Sequence, residues 1–191
     1  MASTTYTLSK DHSFQANGRY PKGLEGEDPK DPRPAIRRLL ELFREIQGLH
    51  QKFTAGDGQI VGVERSRLLG QVDAVIMTTV LLIRRHTDDG LVDLFPTDEP
   101  GPRFVLDLDS DGWNMQGNLP LRLASFQGTF PDFYRMEFSP PLKAFLEGYK
   151  AAATDGTVTQ AEGAELLPRL RDILLVSLRL YFLLYYMKIN S

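Results

Sequence analysis

Two segments of this chain repeat one another. Asp57-Gly58-Gln59-Ile60-Val61-Gly62-Val63-Glu64 aligns without gaps to Asp155-Gly156-Thr157-Val158-Thr159-Gln160-Ala161-Glu162. The register carries on beyond the turn. Leu68-Leu69 fall on Leu166-Leu167, Val72 on Leu170, and Val75-Ile76 on Ile173-Leu174. A shared turn followed by shared apolar spacing means that each copy is one supersecondary unit, and such a unit must bury its apolar face on a neighbour.

Apolar periodicity predicts what each unit is. Ile36, Leu39, Leu40, Phe43, Ile46, Leu49 and Phe53 recur at three- and four-residue steps, which predicts a helix from near Pro34 that stops before Gly56. A second helix is expected from about Val63 to Arg85. Its later part, VDAVIMTTVLLI, is apolar nearly all round and therefore needs burial. Ser139-Pro140 reads as a helix start, Ser as cap and Pro in the first turn, with Leu142, Phe145, Leu146 and Tyr149 on one face. The last helical region is expected over Gln160 to Lys188, with Pro168 kinking or splitting it. Its stretch ILLVSLRLYFLLYYM reads as a buried central helix, with an oligomer interface and a membrane-surface contact as alternatives.

Residues 87–138 differ in character. They carry ten acidic residues against three arginines, and eight aromatics. Phe104 to Leu108 and Leu119 to Leu123 read as two short strands around a turn. The expected fold is mainly α: two related helix-loop-helix hairpins with an acidic, aromatic-rich β-hairpin insertion. Residues 1–33, polar and rich in Gly and Pro, are expected to form a disordered or extended arm. Residues 34–191 are expected to form a single helical domain, with 34–86 and 139–191 as the two hairpins and 87–138 as the insertion. At 42% apolar and 25% charged residues the chain can build one full core.

The repeat resembles the second half of an EF-hand calcium loop. Gly58 and Gly156 match its sixth position, Ile60 and Val158 its eighth, and Glu64 and Glu162 its twelfth, with Asp57 and Asp155 at the fifth. The first position is Phe53 or Ala151 and the third Ala55 or Ala153, none of which carries a side-chain oxygen. The resemblance implies a paired helix-loop-helix shape more than calcium binding. Thr159 and Glu162 also have the spacing of a capping box, which explains the second copy without metal.

A separate turn has better metal chemistry. Asp107-Leu108-Asp109-Ser110-Asp111-Gly112 places carboxylates at the first, third and fifth positions, and Asn118 falls at the twelfth. Asp107, Asp109, Asp111 and Asn118 are thus the candidate metal ligands, with calcium as the candidate cofactor. A plain hairpin turn accounts for the same residues. Trp113 follows directly and reads as a lid on the local core or a surface contact.

Catalytic motifs are absent from the sequence. His12, His50 and His86 form no metal-spaced pair, and no nucleophile elbow, P-loop or dinucleotide fingerprint occurs. With no cysteine there is no disulfide, thiolate metal site or Cys nucleophile. The net charge of −3 argues against a nucleic-acid partner. No apolar run reaches the roughly 20 residues of a spanning helix, so no integral membrane span is expected. The first residues lack the apolar core of a signal peptide, so the expected location is cytoplasmic. The leading expectation is a non-enzymatic interaction or assembly protein that associates with itself or a protein partner through its apolar helices. One alternative is an EF-hand-like calcium-binding protein. Another is an enzyme using carboxylates of the insertion, such as Asp88 and Asp93 near His86.

Overall fold

The N-terminal stretches TYTL and SFQANGR alternate outward polar residues with inward apolar ones, the period of a half-buried strand. In the computed structural model they are β1 (Thr5–Leu8) and β2 (Ser13–Arg19). The structure describes residues 4–10, 13–21, 31–57, 59–87, 90–94, 104–109, 111–118, 126–186 and 188–189. After β2 come α1 (Arg33–Ala55), α2 (Gly62–His86), β3 (Leu91–Asp93), β4 (Val105–Leu108) and β5 (Gly112–Asn118). A helical run follows: α3 (Phe130–Phe133), a π-helical turn (Tyr134–Phe138), α4 (Ser139–Ala152) and a short tight turn (Ala153–Asp155). The last element is α5 (Gln160–Tyr185).

The five strands form one antiparallel sheet in the order β1-β2-β5-β4-β3. This corrects the expected fold. Four long helices stand with a five-stranded sheet, in place of two helix-loop-helix hairpins with a small β-hairpin insertion. The reason is pairing between distant segments. β2 bonds along its whole length to β5, from Ser13 opposite Asn118 to Arg19 opposite Gly112. A segment expected as a disordered or extended arm and strands of the expected insertion therefore make one sheet. Each N-terminal strand holds only two inward apolar side chains, Tyr6 and Leu8 or Phe14 and Ala16, too few to stand out in a polar segment. The strand after the turn begins at Gly112, and residues 119–123 lie outside the described residues.

Phe14, Ala16, Leu106 and Met115 are buried on the inner face of the sheet. Phe14 stacks on Phe104 at 5.2 Å and meets Phe182 of α5 edge-on at 5.1 Å. Trp113 is 3% exposed, so it is a core residue. The helices α2 and α5 pack on one another at the centre through Val72, Val75, Ile76, Leu170, Ile173 and Leu174, all 1% exposed or less. By length and composition α2 is apolar enough to cross a membrane, yet 61% of its most apolar stretch is buried within the protein. Pro168 lies inside α5 without splitting it. Pro168 has no N–H to give the Ala164 carbonyl, and both residues are exposed, so that carbonyl faces solvent rather than the core.

Ser139 is the first residue of α4 but not its N-cap, a position that Phe138 takes. The Ser139 backbone is already helical, at φ −67° and ψ −39°, and its N–H donates to the Tyr134 carbonyl five residues back. Pro140 and Pro141 have no N–H to give the carbonyls four residues earlier, and the backbone widens into a π-turn beside them. Thr129 starts the run instead, through a capping box with Asp132.

Candidate functional site

The sequence-derived metal candidates are a tight turn and one distant residue. Asp109 Oδ1 accepts from the backbone N–H of Asp111 at 2.8 Å and of Gly112 at 2.5 Å. Its backbone oxygen accepts from the Tyr20 hydroxyl at 3.1 Å. Asp107 is an exposed strand residue opposite Asn114 and Leu91. Asn118 lies at the other end of β5, opposite Ser13. Six strand steps, about 20 Å, separate it from Gly112, so it does not close a loop around the turn.

The repeated loops share one local device. Asp57 Oδ1 accepts from the Gln59 N–H at 3.0 Å, and Asp155 Oδ1 accepts from the Thr157 N–H at 3.0 Å. Gly156 sits at φ +86°, which only glycine adopts freely. Glu162 completes the capping box with Thr159. Glu64 makes a 2.5 Å ion pair with Lys52. Both glutamates thus serve the protein's own loops. No group of three or more His, Asp or Glu residues among the described residues is arranged to hold a metal ion.

The carboxylate constellation around His86 is not assembled among the described residues. His86 packs against Gly163 of α5, where an added Cβ would come within 2.4 Å of its ring. Burial holds its pKa below the ordinary value. Asp93 offers its backbone oxygen to Arg171 at 3.3 Å. Asp88 lies outside the described residues.

A different place has the shape of a site. An open groove of about 550 Å³ runs between α1, the π-turn and α4. Leu40, Phe43, Leu142 and Leu146 supply apolar lining. The π-turn is pinned from behind: Arg179 of α5 bonds Glu137 at 3.0 Å and lies over Phe133 at 5.5 Å. His50 of α1 stacks on Tyr134 of the π-turn, centroids 4.2 Å apart and planes at 22°. Burial pushes the His50 pKa down and the Tyr134 pKa up, so both are neutral at physiological pH.

The rim of the groove is cationic. Arg44, Arg135 and Lys143 are exposed along it, and no carboxylate among the described residues lines it. Arg135 pairs with Asp132 at 3.2 Å. Arg44 and Lys143 have no ion pair among the described residues. A second hollow, about 490 Å³, lies by the sheet among uncharged residues such as Thr7, Gln15 and Gln116.

Sequence reasoning found the parts of the groove but not the whole. Leu40 and Phe43 were legible as an apolar face, whereas His50 was legible only as a histidine without a metal-spaced partner. The tandem prolines after a helical run were the signal for the widened turn. Nothing local says that this turn faces α1. No protein-family model, curated protein or solved structure matches the chain.

Proposed function

We propose that this chain is a non-enzymatic interaction protein that receives a segment of a protein partner in the groove between α1 and α4. One observation carries the reading. The groove combines an apolar floor with exposed cations that have no ion pair among the described residues, while the most apolar helix faces, those of α2 and α5, are consumed inside the chain. An apolar floor with a polar rim is the anatomy of a surface that excludes water under a partner. Self-association through α2 and α5 loses its motive once those faces pack together, so the contact surface moves to the groove.

The test is selection of displayed random peptides on the full chain, with amide resonances of α1 and α4 followed on adding each selected peptide. Selected peptides are expected to shift resonances of Leu40 to Gln51 and of Ser139 to Leu146, and to lose binding in Leu146→Arg. Peptides that perturb only the sheet or the α2–α5 end would overturn the reading, as would a failure to select any.

A further inference from the structure

We infer that the segment docked in this groove is an acidic amphipathic helix; this rests on the groove being a docking surface and goes on to name its ligand. Charge complementarity is the first argument. Arg44 projects from α1 and Lys143 from α4, so each wall contributes one cation. Both are exposed, and among the described residues neither has an ion pair and no carboxylate lines the groove. Arg135 adds a third positive charge on the π-turn, paired with Asp132 of α3. A helix with carboxylates on both flanks of its apolar stripe meets one cation on each side, and a basic segment meets repulsion from both walls.

Shape is the second argument. The α1 lining runs from Leu40 to Gln51, about 16 Å at the rise of an α-helix. That is three helical turns, enough to seat anchors at i, i+3 or i+4, and i+7. Leu40 and Leu146 are half-buried, so the floor still offers apolar surface to those anchors. The formal charge of the whole chain, −3, disfavours a long polyanion, which senses the field of the entire molecule. A short acidic helix senses mainly the local rim, because salt screens beyond about 8 Å.

The experiment uses two fluorescent peptides of about 18 residues, long enough to form helix. They share one leucine stripe at the anchor spacing and differ only in carrying Glu or Lys on its flanks. Binding to the full chain is read by anisotropy, with circular dichroism of each variant to confirm folding. The Glu peptide is expected to bind roughly tenfold more tightly than the Lys peptide, with the difference shrinking as salt rises. The double variant Arg44→Glu with Lys143→Glu is expected to reverse that order. Arg44→Gln with Lys143→Gln, a milder pair for the case in which reversal unfolds the chain, is expected to abolish the preference. If both peptides bind equally and compete with a selected groove binder, the groove remains a docking surface and the acidic ligand is wrong. If no peptide of either charge competes there and none was selected, both readings fall.

Discussion

Asp73 is the half-buried carboxylate whose sign can be tested most directly. It sits on α2, and its Oδ1 accepts from the Tyr6 hydroxyl at 2.6 Å, while the Tyr6 ring lies 4.2 Å from Tyr181. Burial raises the Asp73 pKa from 3.8, opposed by the Tyr6 hydrogen bond, so desolvation wins. The folded chain therefore holds this proton more tightly than the unfolded one. Stability from the group is complete below pH 3.8 and is lost as pH rises through the folded-state value. Asparagine accepts the same bond without a charge. Asp73→Asn is expected to be more stable than the parent by about 1 kcal/mol at neutral pH, with the gap closing in acid. Urea melts at several pH values check it, and a less stable variant at neutral pH would mean that the charged bond outweighs its desolvation. Gly18 tests packing in the same way. An added Cβ would stand 2.7 Å from Trp113 Cζ2, inside the sheet core. Gly18→Ala is expected to cost about 1–3 kcal/mol and to change the emission of Trp113, the sole tryptophan.

At the scale of elements, the ends of helices decide how the parts lock. Arg65 leaves the first turns of α2 and is only 9% exposed. Its guanidinium donates to the Leu184 carbonyl at 2.6 Å, the Ile60 carbonyl at 3.3 Å and the Ile189 carbonyl at 3.4 Å. A cation at the last turn of α5 meets the negative end of the helix dipole and ties that end to the carbonyls of Ile60 and Ile189 outside the helix. Arg65→Met keeps most of the volume and loses every bond. It is expected to cost about 2–4 kcal/mol, because buried carbonyls are left unsatisfied. Thermal melts with hydrogen exchange at Leu183 and Leu184 check it. Loss of protection confined to that turn is the expected pattern, and an unchanged melting temperature would show that water replaces the arginine. The two copies of the repeat differ at this scale. The second starts α5 with a Thr159–Glu162 capping box, whereas Val61 in the first has no side-chain cap and Glu64 turns to Lys52 instead.

At the scale of the molecule, the N-terminal strands are part of the core. Phe14 is 3% exposed and Ala16 is fully buried, and β2 forms the bridge between β1 and β5. An arm could be removed without consequence, whereas these strands cannot. A variant lacking residues 1–21 would uncover Trp113, Met115 and Phe104, as well as one edge of β5. It is expected to lose the cooperative thermal transition and to bind a hydrophobic dye, which scanning calorimetry and dye fluorescence would show. A cooperative melt within a few degrees of the full chain would mean that the helices fold without the sheet.

How much was legible follows from the range of each interaction. The α1 stripe from Ile36 to Phe53, the apolar run of α2 and the Thr159–Glu162 cap depend on neighbours three or four residues away, so a linear pattern carries them. The turn at Asp109 is legible for the same reason, as the carboxylate bonds the amides two and three residues on. β1 and β2 were not legible as part of a sheet. Their partner β5 lies far along the chain, and pairing residues 13–19 with 112–118 is a choice among many that only burial against α5 settles. The groove has the same origin. Its cations, its apolar floor and its prolines are all in the sequence, but their meeting is a property of packing. By itself the sequence determined the long helices, their buried stripes and the Thr159–Glu162 cap, because those are local facts. Only the tertiary structure decided that the N-terminal segment is sheet and that α1 and the π-turn enclose a cationic groove, because both depend on contacts between residues with no local relation.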